Sequence, residues 1–308
     1  MKTWMKVLGY FGVGVFFFIL FLYFTFPDEA LKNYLLNQIE DGMGGKYRIK
    51  VSSMSSGIVF GLSFKNVEIT RRDSDTPAIF FKSSKVNINP SIIAFLRKIN
   101  KFSFSIVFGK GELSGNYYDS ATENDIQLEF DKLNLKDINL SSELAIFNYL
   151  KGVLDGNFEV KFFAKDPSKN KGLIDVKLAD FVITSFKTRM DPTSSESEIE
   201  IPEIKLSTSK NSKLVADFNK TDLNIKQFVF SGGDIEINVN GQIHLAQKVN
   251  DYQLDLRGNI KINSEAVKKV PLLALFEQQK QADGTYPFTL TGRLMKPSIS
   301  VGAFRLPF

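Results

Sequence analysis

The sequence predicts a mainly β protein: a single N-terminal transmembrane helix followed by a long antiparallel sheet with a few short amphipathic helices. Two observations lead to this fold class. One long uncharged apolar run lies near the N-terminus, and beyond it apolar and polar residues alternate in roughly fifteen or more short segments separated by turn residues. With 308 residues, 43% of them hydrophobic and 24% charged, the chain has the composition of a folded protein, which excludes global disorder.

The first element is the uncharged run at residues 7–26, which contains no proline. As a helix it spans roughly 30 Å, the thickness of a bilayer's hydrocarbon core. Lys2 and Lys6 precede it and Asp28 follows it. The positive-inside rule therefore predicts that residues 1–26 form a cytoplasmic tip and transmembrane anchor, and that the rest of the chain crosses the membrane.

Two alternatives compete with an anchor for this run. A cleaved signal peptide has an apolar region of roughly 7–15 residues and a small-residue cleavage site. The run is longer, and residues 23–27 (YFTFP) offer no such site. A buried core helix is disfavoured because nothing polar interrupts the run. We therefore expect an uncleaved anchor.

The second element is an amphipathic helix at residues 27–45, just after the anchor. Leu31, Leu35 and Ile39 share one helical face, and Gly42 suits the helix C-terminus. This juxtamembrane helix could cap a sheet or lie on the bilayer, and the sequence leaves both open.

From residue 46 to residue 308 a period of two dominates, which predicts one β-rich domain. Helical patterns interrupt it at 91–100, 141–151 and 264–281, the last with Ser264 as a plausible N-cap. The polar stretch 190–198 is a candidate long loop. The turns are visible in the sequence, for example Ser231-Gly232-Gly233-Asp234.

The alternation gives each strand one polar and one apolar face, and the apolar faces are rich in phenylalanine, of which the chain has 29. Such strands can close into a barrel, stack as a sandwich or form a long open groove. Their apolar faces form either an ordinary core or a groove for acyl chains. The candidate groove residues are five phenylalanines: Phe102, Phe104, Phe108, Phe158 and Phe162.

Composition argues against catalysis. The chain has no Cys and one His, which excludes disulfides, thiolate zinc sites and HExxH metal sites. GxxxxGK[ST] and GxSxG motifs are absent. The single His244 is expected on the polar, solvated face of a strand. No catalytic, cofactor or metal residue is predicted, and a net charge of +5 without a basic stripe gives no reason to expect nucleic acid.

Several segments, in this order, resemble AsmA-like envelope proteins. The anchor and amphipathic helix are followed by 45–51 (GKYRIKV) and 61–69 (GLSFKNVEI), then by the Gly-x-Leu-x-Gly turns at 109–115 and 152–156. The ending at 286–299 (YPFTLTGRLMKPSI) is similar to that group's closing Gly-x-Leu-x-x-Pro-x-Ile pattern. Length, single anchor and ending most resemble the type II secretion system protein N family, GspN. The resemblance implies a curved β-groove or open barrel and carries over no catalytic or binding residue.

The resemblance implies a bacterial inner-membrane protein with its bulk in the periplasm. We expect a non-enzymatic component of type II protein secretion that acts through contacts with other secretion subunits. The alternative is a lipid-binding or lipid-transfer groove that holds phospholipid acyl chains. A distant rival, an outer-membrane β-barrel, has the terminal Phe308 in its favour. Pro307 and the shortness of the strands speak against it.

Overall fold

A computed structural model of the chain describes residues 28–57, 61–72, 79–138, 149–189, 198–208, 211–246, 248–269 and 277–306. Within these ranges the helices are α1 (Asp28–Gly42), α2 (Ile92–Leu96) and α3 (Ser264–Lys269). The strands are β1 (Tyr47–Lys50), β2 (Ser53–Ser56), β3 (Leu62–Arg71), β4 (Ile79–Pro90), β5 (Asn100–Phe108), β6 (Gly111–Asp119), β7 (Glu123–Asn134), β8 (Leu150–Phe163), β9 (Lys171–Ile183), β10 (Phe186–Arg189), β11 (Glu198–Ile201), β12 (Ile204–Lys205), β13 (Lys213–Asn219), β14 (Asp222–Phe230), β15 (Ile235–His244), β16 (Gln253–Ile262), β17 (Thr285–Arg293), β18 (Lys296–Val301) and β19 (Phe304–Leu306).

The prediction of a mainly β, antiparallel fold is confirmed. Seventeen of these strands belong to one antiparallel sheet, and β10 and β11 pair separately. From β3 to β9 each strand pairs with the next along the chain, and β1 and β2 both pair with β3. Strand β9 pairs with β12 and β13, and from β13 to β19 sequential pairing resumes.

The predicted anchor at residues 1–26 lies outside the described residues. Of the helices in the described ranges, none combines the length and apolar character that crossing a bilayer requires.

Helix α1 confirms the predicted helix after the apolar run, and Leu31 and Leu35 of its predicted apolar face pack on the sheet, whereas Ile39 is 44% exposed. Leu31 and Leu35 contact the buried cluster of Met54, Phe64 and Val67. At the other end of the helix, the carboxylate of Glu40 accepts a hydrogen bond from the backbone N–H of Ile49 at 2.7 Å and pairs with Arg72. Of the two roles left open by the sequence, α1 therefore takes the first and packs on the sheet at β1–β3.

The other predicted helices need correction. Helix α2 is shorter than the predicted 91–100, because Asn100 already belongs to β5. The predicted helix at 141–151 falls mostly outside the described residues, and residues 150–151 are part of β8. The N-cap of α3 is Asn263, whose side-chain oxygen accepts a hydrogen bond from the Ala266 N–H at 3.2 Å; the choice of Ser264 was wrong by one residue.

Two further predictions are partly covered by the described residues. Of the predicted loop at 190–198, residues 190–197 lie outside the described ranges and Glu198 begins β11. The second half of the predicted helix at 264–281 includes residues 270–276, which are also outside.

Candidate functional site

Cross-strand rows of apolar residues run along one face of the sheet. Residues directly opposite each other in an antiparallel pair point to the same face, so the register can be followed from strand to strand. The central row has no polar side chain over thirteen strands. It consists of Leu62, Ile88, Phe104, Gly115, Leu128, Phe158, Ile174, Ala216, Ile225, Gly241, Leu256, Leu290 and Ile299.

A parallel row lies on each side of the central one. The distal row also lacks polar side chains; it is Phe64, Val86, Ile106, Leu113, Phe130, Gly156, Val176, Leu214, Phe228, Val239, Gly258, Phe288 and Val301. The α2-side row is Pro90, Phe102, Tyr117, Ile126, Val160, Gly172, Phe218, Leu223, Ile243, Leu254, Gly292 and Pro297.

We call the surface made of these three rows the apolar face. Because neighbouring strands lie about 4.8 Å apart, thirteen strands extend roughly 60 Å along the sheet. That is about twice the thickness of a bilayer's hydrocarbon core. The alternation that the sequence displays strand by strand thus becomes one continuous apolar surface.

Much of the apolar face is only half-buried. In the central row, Ala216 and Leu256 are buried, whereas the other members keep part of their surface accessible. Two buried clusters flank this accessible stretch. One lies under α1 around Phe64, and the other gathers Val176, Leu178, Phe181, Leu206 and Phe230. Between them, β5–β8 present half-buried aromatic and aliphatic side chains.

The five candidate phenylalanines occupy different environments. Phe102 and Phe104 lie half-buried on β5 with ring centroids 6.3 Å apart, and the Phe102 ring is 5.1 Å from that of Tyr117. Phe158 is half-buried on β8, in the same central row as Phe104. These three therefore line the accessible stretch.

The other two candidates lie at its margins. Phe108 is 4% exposed and packs edge-on against Phe81 at 5.5 Å, so it is part of the packed interior. Phe162 is 38% exposed at the end of β8, with its ring 5.3 Å from that of Phe218. Opposite Phe162 the register continues into Asn124, Asp119 and Asn100, a short polar row that borders the apolar face.

The central row is tightly packed at Gly115. A Cβ atom built at this position would lie 3.0 Å from Phe104 Cζ and 3.0 Å from Leu128 Cδ2. Both side chains therefore lean over the glycine from the neighbouring strands and close the gap that its missing side chain leaves. The row stays continuous there because larger neighbours cover the glycine.

The opposite face of the sheet carries short polar side chains. Ser63 Oγ donates to Asn87 Oδ1 at 2.9 Å, and Asn87 Nδ2 donates to Ser105 Oγ at 3.1 Å. A cavity of about 440 Å³ on β5–β8 is bordered by Asn116 and Gln127 among other polar groups. These hydroxyls and amides bond to one another across neighbouring strands.

Ionisable side chains on this polar face contact one another across and along the strands. His244 is exposed, as predicted, with Nδ1 at 2.7 Å from Asp222 Oδ1. Asp255 and Arg257 form an ion pair at 3.7 Å. Among the described residues, no group of three or more His, Asp or Glu side chains could hold a metal ion.

The sequence predicts which residues of each strand share a face, but it does not predict the cross-strand rows. The alternation within each strand is readable from the sequence, whereas the residue opposite each position depends on turn lengths and bulges.

Comparison of the chain with protein-family models, curated proteins and solved structures finds no match.

Proposed function

We propose that the protein is a non-enzymatic lipid-binding protein that holds phospholipid acyl chains on the apolar face and lets them move along it. The observation that carries the proposal is the central row, thirteen strands long and free of polar side chains. An acyl chain has no hydrogen-bonding group, so it needs a surface on which no polar group loses its water.

Partial burial distinguishes this surface from a finished core. A core residue is normally covered by a second layer of structure. Each Å² of apolar surface that stays in water loses about 25 cal/mol of stabilising free energy that burial would give. Phe102, Phe104, Leu128 and Phe158 keep accessible surface, so an acyl chain lying across them would recover that energy. The polar row at Asn100, Asp119 and Asn124 offers hydrogen bonds to a headgroup at the border.

The proposal extends to shape and place. A sheet of this many strands twists, and a twisted sheet with one apolar side forms a curved groove or open barrel of the AsmA-like kind. We propose that residues 1–26 anchor it in a bacterial inner membrane with the bulk in the periplasm. The apolar run at 7–26 and the lysines before it support this location.

A second proposal is a component of type II secretion that acts through contacts with other secretion subunits. It is supported by the resemblance of the sequence to GspN proteins and by the antiparallel, mainly β architecture. The two proposals differ in what touches the apolar face, because a scaffold needs no lipid there.

The test is site-specific photocrosslinking with the full chain in its native envelope. Phe104 or Phe158 is replaced by the photoreactive aromatic residue p-benzoylphenylalanine, and phospholipids are labelled with radioactive phosphate. Irradiation should produce a labelled lipid adduct at both positions. Ser105 and Glu159, the next residues on the same strands, point to the polar face and serve as matched controls.

Adducts at Phe104 and Phe158 but not at Ser105 and Glu159 support the lipid proposal. Adducts of equal intensity at all four positions would mean contact with bulk membrane and would overturn it. Crosslinks from Phe104 and Phe158 to another protein, without lipid, would favour the secretion scaffold instead.

A further inference from the structure

Two exposed apolar tips lie at the same rim of the sheet. Helix α2 connects β4 to β5, and the turn at residues 294–295 connects β17 to β18. The flanking residues of both connections, Pro90 with Phe102 and Gly292 with Pro297, belong to the α2-side row. Both tips therefore project from the edge next to that row, which we call the α2 rim.

The first tip is built to hold its apolar side chains outward. Ile93, Phe95 and Leu96 are 68%, 76% and 77% exposed. The short helix is nevertheless fixed: Ser91 Oγ accepts a hydrogen bond from the Ala94 N–H at 3.4 Å, and Ala94 is buried. Three large apolar side chains thus project into solvent from a helix whose position is fixed. Their exposure does not stabilise the folded chain, because the side chains gain no free energy from burial.

The second tip repeats the composition of the first. Leu294 is 39% exposed and Met295 is 64% exposed, with Arg293 before them and Lys296 after them. In the first tip Arg97, Lys98 and Lys101 follow the apolar residues. The two segments, 91–101 and 292–297, carry five basic residues and no acidic one. At the same rim, Val249 in the β15–β16 connection is 57% exposed.

At the opposite rim, the β5–β6 turn is Gly109–Lys110, and the β14–β15 turn is the polar sequence at 231–234 (SGGD). That rim also has an exposed apolar residue in the β18–β19 turn region, Phe304, which is 49% exposed. Adjacent exposed apolar residues with basic flanks thus occur at α2 and at residues 293–296, whereas other turns of the α2 rim, such as 120–122 and 164–170, are polar.

We propose that the α2 rim docks on an anionic membrane surface. The apolar tips enter the boundary between headgroups and acyl chains, and the basic side chains contact lipid phosphates. A bilayer fits better than a protein partner because the tips are separate protrusions, and a fluid interface accommodates each one independently. The proposal rests on the tips alone and does not require the apolar face to hold lipid.

The test uses the absence of cysteine from the chain. A single cysteine introduced as Leu96→Cys or Met295→Cys is labelled with an environment-sensitive fluorophore, and Lys110→Cys on the opposite rim is the matched control. The full chain is reconstituted in phosphatidylcholine vesicles with or without phosphatidylglycerol. Lipids with a nitroxide near the top of the acyl chain quench any label that reaches the bilayer.

With phosphatidylglycerol present, labels at residues 96 and 295 should be quenched and the label at 110 should not. Arg293→Gln with Lys296→Gln should lower the ratio of quenched to unquenched label at residue 295 by about fivefold for each charge removed. Quenching at 96 and 295 no greater than at 110, or unchanged without anionic lipid, would overturn the proposal. A blue shift of the fluorophore that persists without vesicles would also overturn it, because protein would then cover the tips.

Discussion

Phe104 and Phe158 lie in one cross-strand row, three strands apart, with Gly115 and Leu128 between them. Leu128 therefore occupies the path that any acyl chain takes between the two rings. We predict that Leu128→Asp lowers lipid crosslinking at both Phe104 and Phe158, because a carboxylate in the path makes apolar contact there unfavourable. The measurement is the yield of labelled lipid adduct at each position.

Asn116→Asp is the matched control for this prediction. Asn116 follows Gly115 on β6 but is exposed on the polar face. The control variant should leave both adducts unchanged, and circular dichroism should show that both variants fold. Equal loss in the two variants would show that the added charge acts on the sheet as a whole and not on the path.

The two marginal candidates, Phe108 and Phe162, should separate by their effect on stability. Phe108→Ala should lower the free energy of unfolding by about 3–5 kcal/mol, because the side chain is almost fully buried against Phe81. Phe162→Ala should cost less than about 2 kcal/mol, since more than a third of the residue is already in water. Urea unfolding measures both, and equal losses would contradict the assigned environments.

The fate of the five phenylalanines shows how far sequence reasoning reaches. Alternation on β5 places Phe102, Phe104 and Phe108 on one face, and the structure agrees. It gives no information on burial, because that depends on which strand lies opposite: Phe108 meets Phe81 from β4, whereas Phe104 meets Gly115. Long-range packing separates residues that look equivalent in the sequence.

The ends of the helices and the register of the strands could not be predicted from the sequence, because both depend on long-range pairing. Helix α2 ends at Leu96, before the end of the helical pattern at 91–100. Residues from Asn100 onward pair with β6 instead, because the ladder hydrogen bonds outweigh helical propensity there. The rows depend on irregularities such as the register shift between Phe130 and Leu133, which restores apolar residues to the same face. No local pattern specifies such a shift.

A prediction on backbone geometry concerns Gly156 in the distal row. Its φ is +145°, and a Cβ atom there would lie 2.1 Å from the carbonyl oxygen of Asp175 and 2.8 Å from Val176 Cα. Neither backbone atom can move aside alone, so Gly156→Ala should lower the free energy of unfolding by about 3 kcal/mol or more. Thermal or urea unfolding provides the measurement.

Gly284 is the control that isolates the backbone conformation from the lack of space. Its φ is +82°, but the nearest atom to an added Cβ is Lys280 Cε at 4.0 Å. Gly284→Ala should therefore cost only about 1–2 kcal/mol. A loss at Gly156 no larger than at Gly284 would show that the strands separate easily at that point of the sheet.

Glu40 should hold α1 on the sheet. It accepts the Ile49 N–H and pairs with Arg72, so Glu40→Ala should lower the free energy of unfolding by about 1–3 kcal/mol. Glu40→Gln keeps an acceptor for Ile49 and should lose less. Hydrogen exchange at the Ile49 amide should accelerate in the alanine variant. Glu29→Ala removes an exposed helix pair with Lys32 and should change stability by less than about 0.5 kcal/mol.

The last prediction concerns acid sensitivity through Asp217 and Lys226. The Lys226 ammonium, 2.7 Å from Asp217 Oδ1, lowers the pKa of Asp217 below its usual value, with a further contribution from Asn224. A carboxyl whose folded-state pKa is lowered stabilises the fold at pH values above the unfolded pKa of about 3.9. That contribution is lost as the pH falls through the folded-state pKa.

Stability measured by urea unfolding should therefore fall less steeply below about pH 4 in Asp217→Asn than in the parent chain. Lys226→Met should remove most of the same pH dependence, because it removes the main cause of the lowered pKa and leaves the smaller contribution of Asn224. The double variant should lose no more than either single variant, since both substitutions break one interaction. Additive losses would assign the acid sensitivity to separate contacts of the two side chains and would contradict the pairing as its source.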